Sequence, residues 1–260
     1  MKGEEIHLLL DHYVSPLIID IERSRIGALN NPKFFITGSN QVQRQSGKEL
    51  LKNGAFKEEF SRFIMQEWKT PHYGPILGIK VLYVSDGGKC LRYRNMETVS
   101  SSQVAVDTPS HMHARHEEAV TLMAFHAAKT QGKNTLVRST DTDVLVILIG
   151  LAGRIDNISL IMDYGSGNHR RYINISLIAT KLEEIHSGLT TALIGYHALT
   201  GSDFTSAFNR KGKTKPFEKL EAKDATLHVK AMQSLTSNVD VTAVTSYVCA
   251  LYGCKATNID

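Results

Sequence analysis

VRSTDTDVLVILIGL, residues 137–151, sets two aspartates, Asp141 and Asp143, directly against an apolar run that continues to Gly153. A carboxylate beside a core segment costs free energy unless a partner replaces the water it loses. Two in succession point to a bound cation, a proton to be moved, or a helix cap. The preceding NTLVRS, residues 134–139, reads as a strand, so the aspartates stand at a strand's carboxyl end. The apolar segment after them reads as a buried helix or strand.

Working outward, strands and helices alternate. IHLLLDHY, residues 6–13, reads as a short buried strand ending at Asp11. In residues 46–69 the spacing of Phe56, Phe60, Phe63 and Ile64 predicts a helix face. GIKVLYVSDGGKCLRYRN, residues 78–95, reads as a hairpin turning at Gly87-Gly88, and polar Ser100 to Pro109 as a loop. ARHEEAVTLMAFHAAKTQG reads as a helix stopped by Gly132. Residues 157–188 read as a hairpin turning at Gly165 to Asn168 and running into a helix, and residues 189–208 as a helix, a Gly-Ser-Asp break and a new start. The tail from Leu220 to Tyr252 is helical by composition. This alternation predicts an α/β fold with a central, mainly parallel sheet and a helical C-terminal portion, dividing at 1–200 and 201–260.

The bulk composition is that of a globular protein: 260 residues, 42% hydrophobic and 22% charged. The longest apolar run, Val144 to Gly153, is about half a membrane span, so no membrane partner is expected. The N-terminal MKGEEIHLLLDHY carries early acids and too short an apolar stretch for a secretory signal. Cys90, Cys249 and Cys254 form an odd, sparse set that fits a reducing compartment, and an intracellular place, nuclear or cytoplasmic, is expected. His111, His113 and His116 have the spacing of a dinuclear zinc site, but Arg115 stands where such sites need an aspartate, which favours a solvated cluster.

In α/β sheets, ligands gather at the carboxyl ends of strands. Asp11, the pair Asp141 and Asp143, and Asp203 in the Gly-Ser-Asp break all stand at such ends, and Glu117 and Glu118 open a helix. Scattered carboxylates suit a hard divalent cation. Each acid also has an ordinary reading, with Asp143 as a cap, Asp203 as a helix start and Glu117 as a first-turn acid. The net charge of +4 is modest, but NRKGKTKPFEK concentrates Arg210, Lys211, Lys213 and Lys215, and Arg170 and Arg171 form a second basic pair. Such clusters hold phosphates or simply line a solvated loop.

The order HEEA…HA, STDTDVLV and ALTGSDFTSAFNRKGK resembles the PIN-like nuclease superfamily, on its flap-endonuclease (XPG-like) and Asteroid side. It is similar above all to mobile-element-associated animal proteins sharing the pattern EEADT…DTDVLVLL…GFHAFTGCDTTSAFxGKGK. The likeness spans about residues 5 to 220. It implies a three-layer PIN-like fold and Mg²⁺- or Mn²⁺-dependent hydrolysis of nucleic-acid phosphodiesters, DNA or RNA, with no small-molecule cofactor. In that reading Asp11, Glu118, Asp141, Asp143 and Asp203 are the metal ligands, and Glu118, Asp141, Asp143 and Asp203 are the catalytic set. Arg210, Lys211, Lys213 and Lys215 match a helix–turn–helix-like segment that grips nucleic-acid backbone.

The chain departs from the family pattern at two places. Where the family has Glu-x-Asp on the helix, this chain has Glu118-Ala119-Val120, and valine cannot bind a metal. Glu117, three residues before Val120 on the same helix face, is the carboxylate placed to substitute. The resemblance also implies that the family's first Asp-bearing strand is missing, as in a truncated copy. Both departures leave a second reading beside the hydrolase: an inactive nucleic-acid-binding or scaffold protein that keeps the nuclease fold.

Overall fold

The computed structural model describes residues 4–10, 34–42, 45–51, 53–86, 88–98, 101–114, 119–130, 132–202 and 205–254. They form two compact units, one within residues 1–122 and one within 123–260. The boundary expected at 200–201 falls inside the second unit, whose later helices share the core of the earlier ones.

The first unit is built on a four-stranded sheet in the order β1 (Glu5–Leu9), β2 (Val81–Asp86), β3 (Lys89–Thr98), β4 (Ser101–Asp107). β1 runs parallel to β2 from Glu5↔Val81 to Leu9↔Ser85, and the other two pairings are antiparallel. The expected hairpin closes at Asp86↔Lys89, with Gly88 at φ +81°, a conformation that glycine adopts without a Cβ penalty. Ser101–Asp107, expected as a loop, is a strand. Its backbone continues the β3 ladder, and Asp107 accepts a forked pair of hydrogen bonds from Arg92 at 2.8 and 2.6 Å. Among the described residues after the first strand come α1 (Gly47–Leu50), α2 (Gly54–Glu67) and α3 (Gly74–Leu77). Asn53 caps α2 by accepting the Phe56 N–H at 3.0 Å. Phe56 and Ile64 of α2 are buried, and Tyr93 of β3 donates its hydroxyl to the Met65 carbonyl at 2.8 Å.

The second unit has a three-stranded sheet, β5 (Asn134–Ser139), β6 (Ser159–Tyr164), β7 (Arg171–Asn174), with β5 parallel and β7 antiparallel to β6. α4 (Ala119–Lys129) spans the division at 122–123, and the second unit also holds α5 (Thr142–Leu151), α6 (Ile175–Ile185), α7 (Leu189–Leu199), α8 (Thr214–Glu221), α9 (Thr226–Ser234) and α10 (Val241–Tyr252). The fold is therefore mixed α/β, as expected. The single central, mainly parallel sheet is replaced, among the described residues, by two mixed sheets with only the β1–β2 and β5–β6 pairings parallel. The physical reason is local: two short hairpins follow the parallel pairs, and a two- to six-residue turn can join only antiparallel neighbours.

The apolar run after Asp143 resolves to a helix, α5, whose Val144, Leu148 and Ile149 are buried. The helical tail buries Leu220, Val229, Met232, Ala243 and Tyr247 against Leu189, Ala192 and Tyr196 of α7. Tyr247 is fully buried, and its hydroxyl donates to the Pro216 carbonyl at 2.9 Å. Close approach of the helices depends on small residues. A Cβ on Gly195 would run into the backbone carbonyl of Met232, and one on Gly150 would meet the end of the Ile194 side chain.

One buried charge organises the sheet. Asp163 on β6 is 2% exposed, and Arg138 of β5 and Arg170 beside β7 both donate to it, at 2.9 Å and at 2.8 and 2.6 Å. The Arg170 fork, helped by Arg138, holds the Asp163 carboxyl below the usual carboxylate range.

The α7–α9 contact yields a test. Gly195→Ala gains about 1 kcal/mol of helix propensity but drives a Cβ into a backbone carbonyl that cannot move, at a cost of about 3 kcal/mol, the upper end of the overpacking range. Urea unfolding should show net destabilisation, with a smaller effect for Gly150→Ala because Ile194 can turn aside. A Gly195→Ala chain as stable as the parent would mean that the two helices are not in this contact.

Candidate functional site

The β5–α5 turn is held by its own side chains. Asp141 donates its N–H to Ser139 Oγ at 3.1 Å, and its Oδ1 accepts the N–H of Asp143 at 2.8 Å. With extended backbone at φ −89° and ψ 130°, Asp141 is the N-cap of α5. The cap reading of the sequence is thus right in kind, but Asp141 performs it. Asp143 stands in the first turn, where a negative charge favours the positive end of the helix dipole.

Asp143 is also joined to α7. Its Oδ1 lies 2.8 Å from His197 Nε2, and His197 Nδ1 lies 2.8 Å from Lys213 Nζ. A lysine ammonium only donates, so Nδ1 must accept, and the ring proton sits on Nε2 pointing at the carboxylate. The chain of bonds is therefore Lys213 ammonium, neutral imidazole, Asp143 carboxylate. The His197 side chain is 15% exposed and that of Asp143 is 32% exposed, so the carboxylate is the more accessible of the pair.

Consecutive residues of α7 bring Lys213 to this place. Tyr196 is buried in the helical core and donates its hydroxyl to the Lys213 carbonyl. His197, one residue and about 100° further round the helix, receives the ammonium of the same lysine. Partial desolvation holds the Lys213 ammonium below the ordinary lysine range, and the charge of Asp143 opposes that shift. Past α7 the chain turns at Gly201, φ +109°, which packs against Ala207. There Thr205 donates its hydroxyl to the Ala198 carbonyl at 2.7 Å.

The basic run does not act as one patch. Lys213 is engaged by His197, and Lys211 places Nζ 4.6 Å from the centre of the Tyr252 ring. Arg210 has a positive φ of 58° and is exposed, as is Lys215 in the first turn of α8. Asp11, Glu118 and Asp203, expected as metal ligands with the aspartate pair, lie outside the described residues, as do Glu117 and His116. His111 and His113 are exposed, in keeping with a solvated cluster. Val120 is a half-buried residue of α4.

Among the described residues no three His, Cys, Asp or Glu side chains gather as a metal site. The aspartate pair is nonetheless a suitable part of one. Each carboxylate spends Oδ1 on the hydrogen bond given above, and a carboxylate has lone pairs on both oxygens. Hard oxygen donors at this turn fit Mg²⁺ or Mn²⁺ and not a soft metal.

Sequence reasoning missed His197. Its partner Asp143 is fifty-four residues away, and nothing in GYHALTG marks a helical histidine as a bridge. The signals are its place directly after a tyrosine of the buried helix face and the matching histidine in the quoted pattern GFHAFTG.

No protein-family model matches the chain, and neither the curated proteins nor the solved structures give a match.

The bridge fixes the histidine tautomer. Long-range ¹H–¹⁵N correlation spectra at neutral pH should show His197 protonated on Nε2, and the same tautomer should persist in Asp143→Asn, whose amide oxygen still accepts while Lys213 donates to Nδ1. A wild-type His197 carrying its proton on Nδ1 would exclude the Lys213 bond.

Proposed function

We propose that the chain is a divalent-metal-dependent nucleic-acid phosphodiester hydrolase of PIN-like, flap-endonuclease type. One observation carries the reading: Asp141 and Asp143 are fixed at the carboxyl end of β5, a strand parallel to its neighbour, where α/β sheets collect their ligands. Asp141 and Asp143, with Asp11, Glu118 and Asp203, would hold Mg²⁺ or Mn²⁺. When bound, such ions supply Lewis acidity toward the phosphodiester and lower the pKa of the attacking water.

The chain's own residues have distinct parts. Asp141 fixes the turn by capping α5, so that its carboxylate is positioned before any ligand arrives. His197 orients Asp143 by donating its Nε2–H to Oδ1. Lys213 brings a positive charge within two hydrogen bonds of Asp143, where negative charge on a phosphoryl group needs a partner. Arg210, Lys211 and Lys215 contribute affinity for backbone phosphates without sequence preference.

A second reading rests on Val120. With a half-buried valine in place of an acid on α4, the site has one ligand fewer, and ligand charge sets the affinity for a hard cation. The chain would then bind nucleic acid without cutting it.

A cleavage assay with Mg²⁺ or Mn²⁺ on flap, single-stranded and duplex substrates separates the two. The hydrolase reading expects metal-dependent products that fall by about a hundredfold or more in Asp141→Asn, in line with loss of a metal-holding group. Cleavage unchanged in Asp141→Asn would refute this site. Salt-sensitive binding without products would support the second reading.

A further inference from the structure

The two arginines of the NHRRY segment have different surroundings. Arg170 is committed to Asp163 through two hydrogen bonds, and Arg138 shares the same carboxylate. Arg171 is exposed, and among the described residues no carboxylate pairs with it. Its guanidinium instead lies over the Tyr164 ring, 5.2 Å from the centroid.

That stack lies beside the acid-bearing turn. Ser139, Tyr164 and Arg171 form one cross-strand row, since Ser139 pairs with Tyr164 and Tyr164 with Arg171. Residues paired across a sheet project to the same face. At one end of the row, Ser139 accepts the Asp141 N–H. In the middle, the Tyr164 hydroxyl is 3.4 Å from Oγ1 of Thr142, the residue between the two aspartates. At the other end stands Arg171.

We propose that Arg171, stacked on Tyr164, holds a backbone phosphate of a nucleic-acid strand whose neighbouring phosphodiester lies at Asp141 and Asp143. The inference rests on the hydrolase reading above and names the residue that positions the strand. A guanidinium stacked on an aromatic face keeps its plane, and its fork then meets two phosphate oxygens with little further loss of freedom. Arg138 and Arg170 cannot serve in this way without giving up the buried Asp163. Of the three arginines around this sheet, the one without an anion shares the cross-strand row that ends at the acid-bearing turn.

The test is fluorescence anisotropy of a labelled single-stranded oligonucleotide, with Ca²⁺ in place of Mg²⁺, between about 50 and 200 mM salt. Arg171→Ala should weaken binding about tenfold, as for loss of a charge-assisted hydrogen bond. It should also reduce the magnitude of the salt slope by about 0.7, the share of one phosphate contact on a single strand. Arg171→Lys should keep the slope and recover only part of the affinity, because it retains the charge and loses the fork. Arg171→Ala with wild-type affinity, or with weaker binding and an unchanged slope, would overturn the assignment while leaving the hydrolase reading intact. A wild-type chain that does not bind the oligonucleotide would overturn both.

Discussion

The hydrogen bond between His197 Nε2 and Asp143 Oδ1 ties together two distant parts of the second unit. On one side of it stands the turn where β5 ends and α5 begins, self-locked by Ser139 and the Asp141 cap. On the other stand α7 and, through Lys213, the entry to α8. A carboxylate and an ammonium joined through a neutral ring carry no net charge, so the arrangement tolerates partial burial better than either ion alone. The same bond restrains Asp143, leaving the second carboxylate oxygen and the remaining lone pair of Oδ1 for a ligand.

This polar chain depends on apolar packing beneath it. His197 is where it is because Tyr196 is fixed in the core of α7, α9 and α10, with Leu189 and Met232 fully buried around it. Gly195, the residue before Tyr196, lets α7 approach the backbone of α9. Three consecutive residues thus serve three ends: Gly195 sets the helix spacing, Tyr196 fills the core and holds the Lys213 carbonyl, and His197 turns outward to the acid. The sheet adds its own constraint, since the Arg138–Asp163–Arg170 cluster occupies two arginines and leaves Arg171 over Tyr164.

Much of this architecture is readable in local pattern. The hairpins at 78–95 and 157–174 follow from β-rich runs around glycines, and β5, α6 and α7 from periodicity and punctuation. What the sequence does not disclose is pairing across distance. β4 hides in a polar stretch because its strand character comes from the β3 ladder and the Arg92–Asp107 fork, not from its own side chains. A single parallel sheet is the natural expectation from alternating elements, and short connections after each parallel pair redirect the chain into two mixed sheets. At the site, the strand-end aspartates announce themselves by standing against an apolar run. His197 does not, and Lys213 reads as one more residue of a basic loop until its ammonium is seen against the imidazole.

The central claim is that Asp141 and Asp143 form part of a divalent-cation site that His197 orients. Titration of the ¹⁵N-labelled chain with Mn²⁺ addresses it directly, because the paramagnetic ion broadens only the resonances near it. Selective loss of the amide signals of Ser139, Asp141, Thr142 and Asp143 and of the His197 ring signals, reversed by excess Mg²⁺, is the expected result. Broadening centred elsewhere, or none at millimolar-scale Mn²⁺, would contradict it.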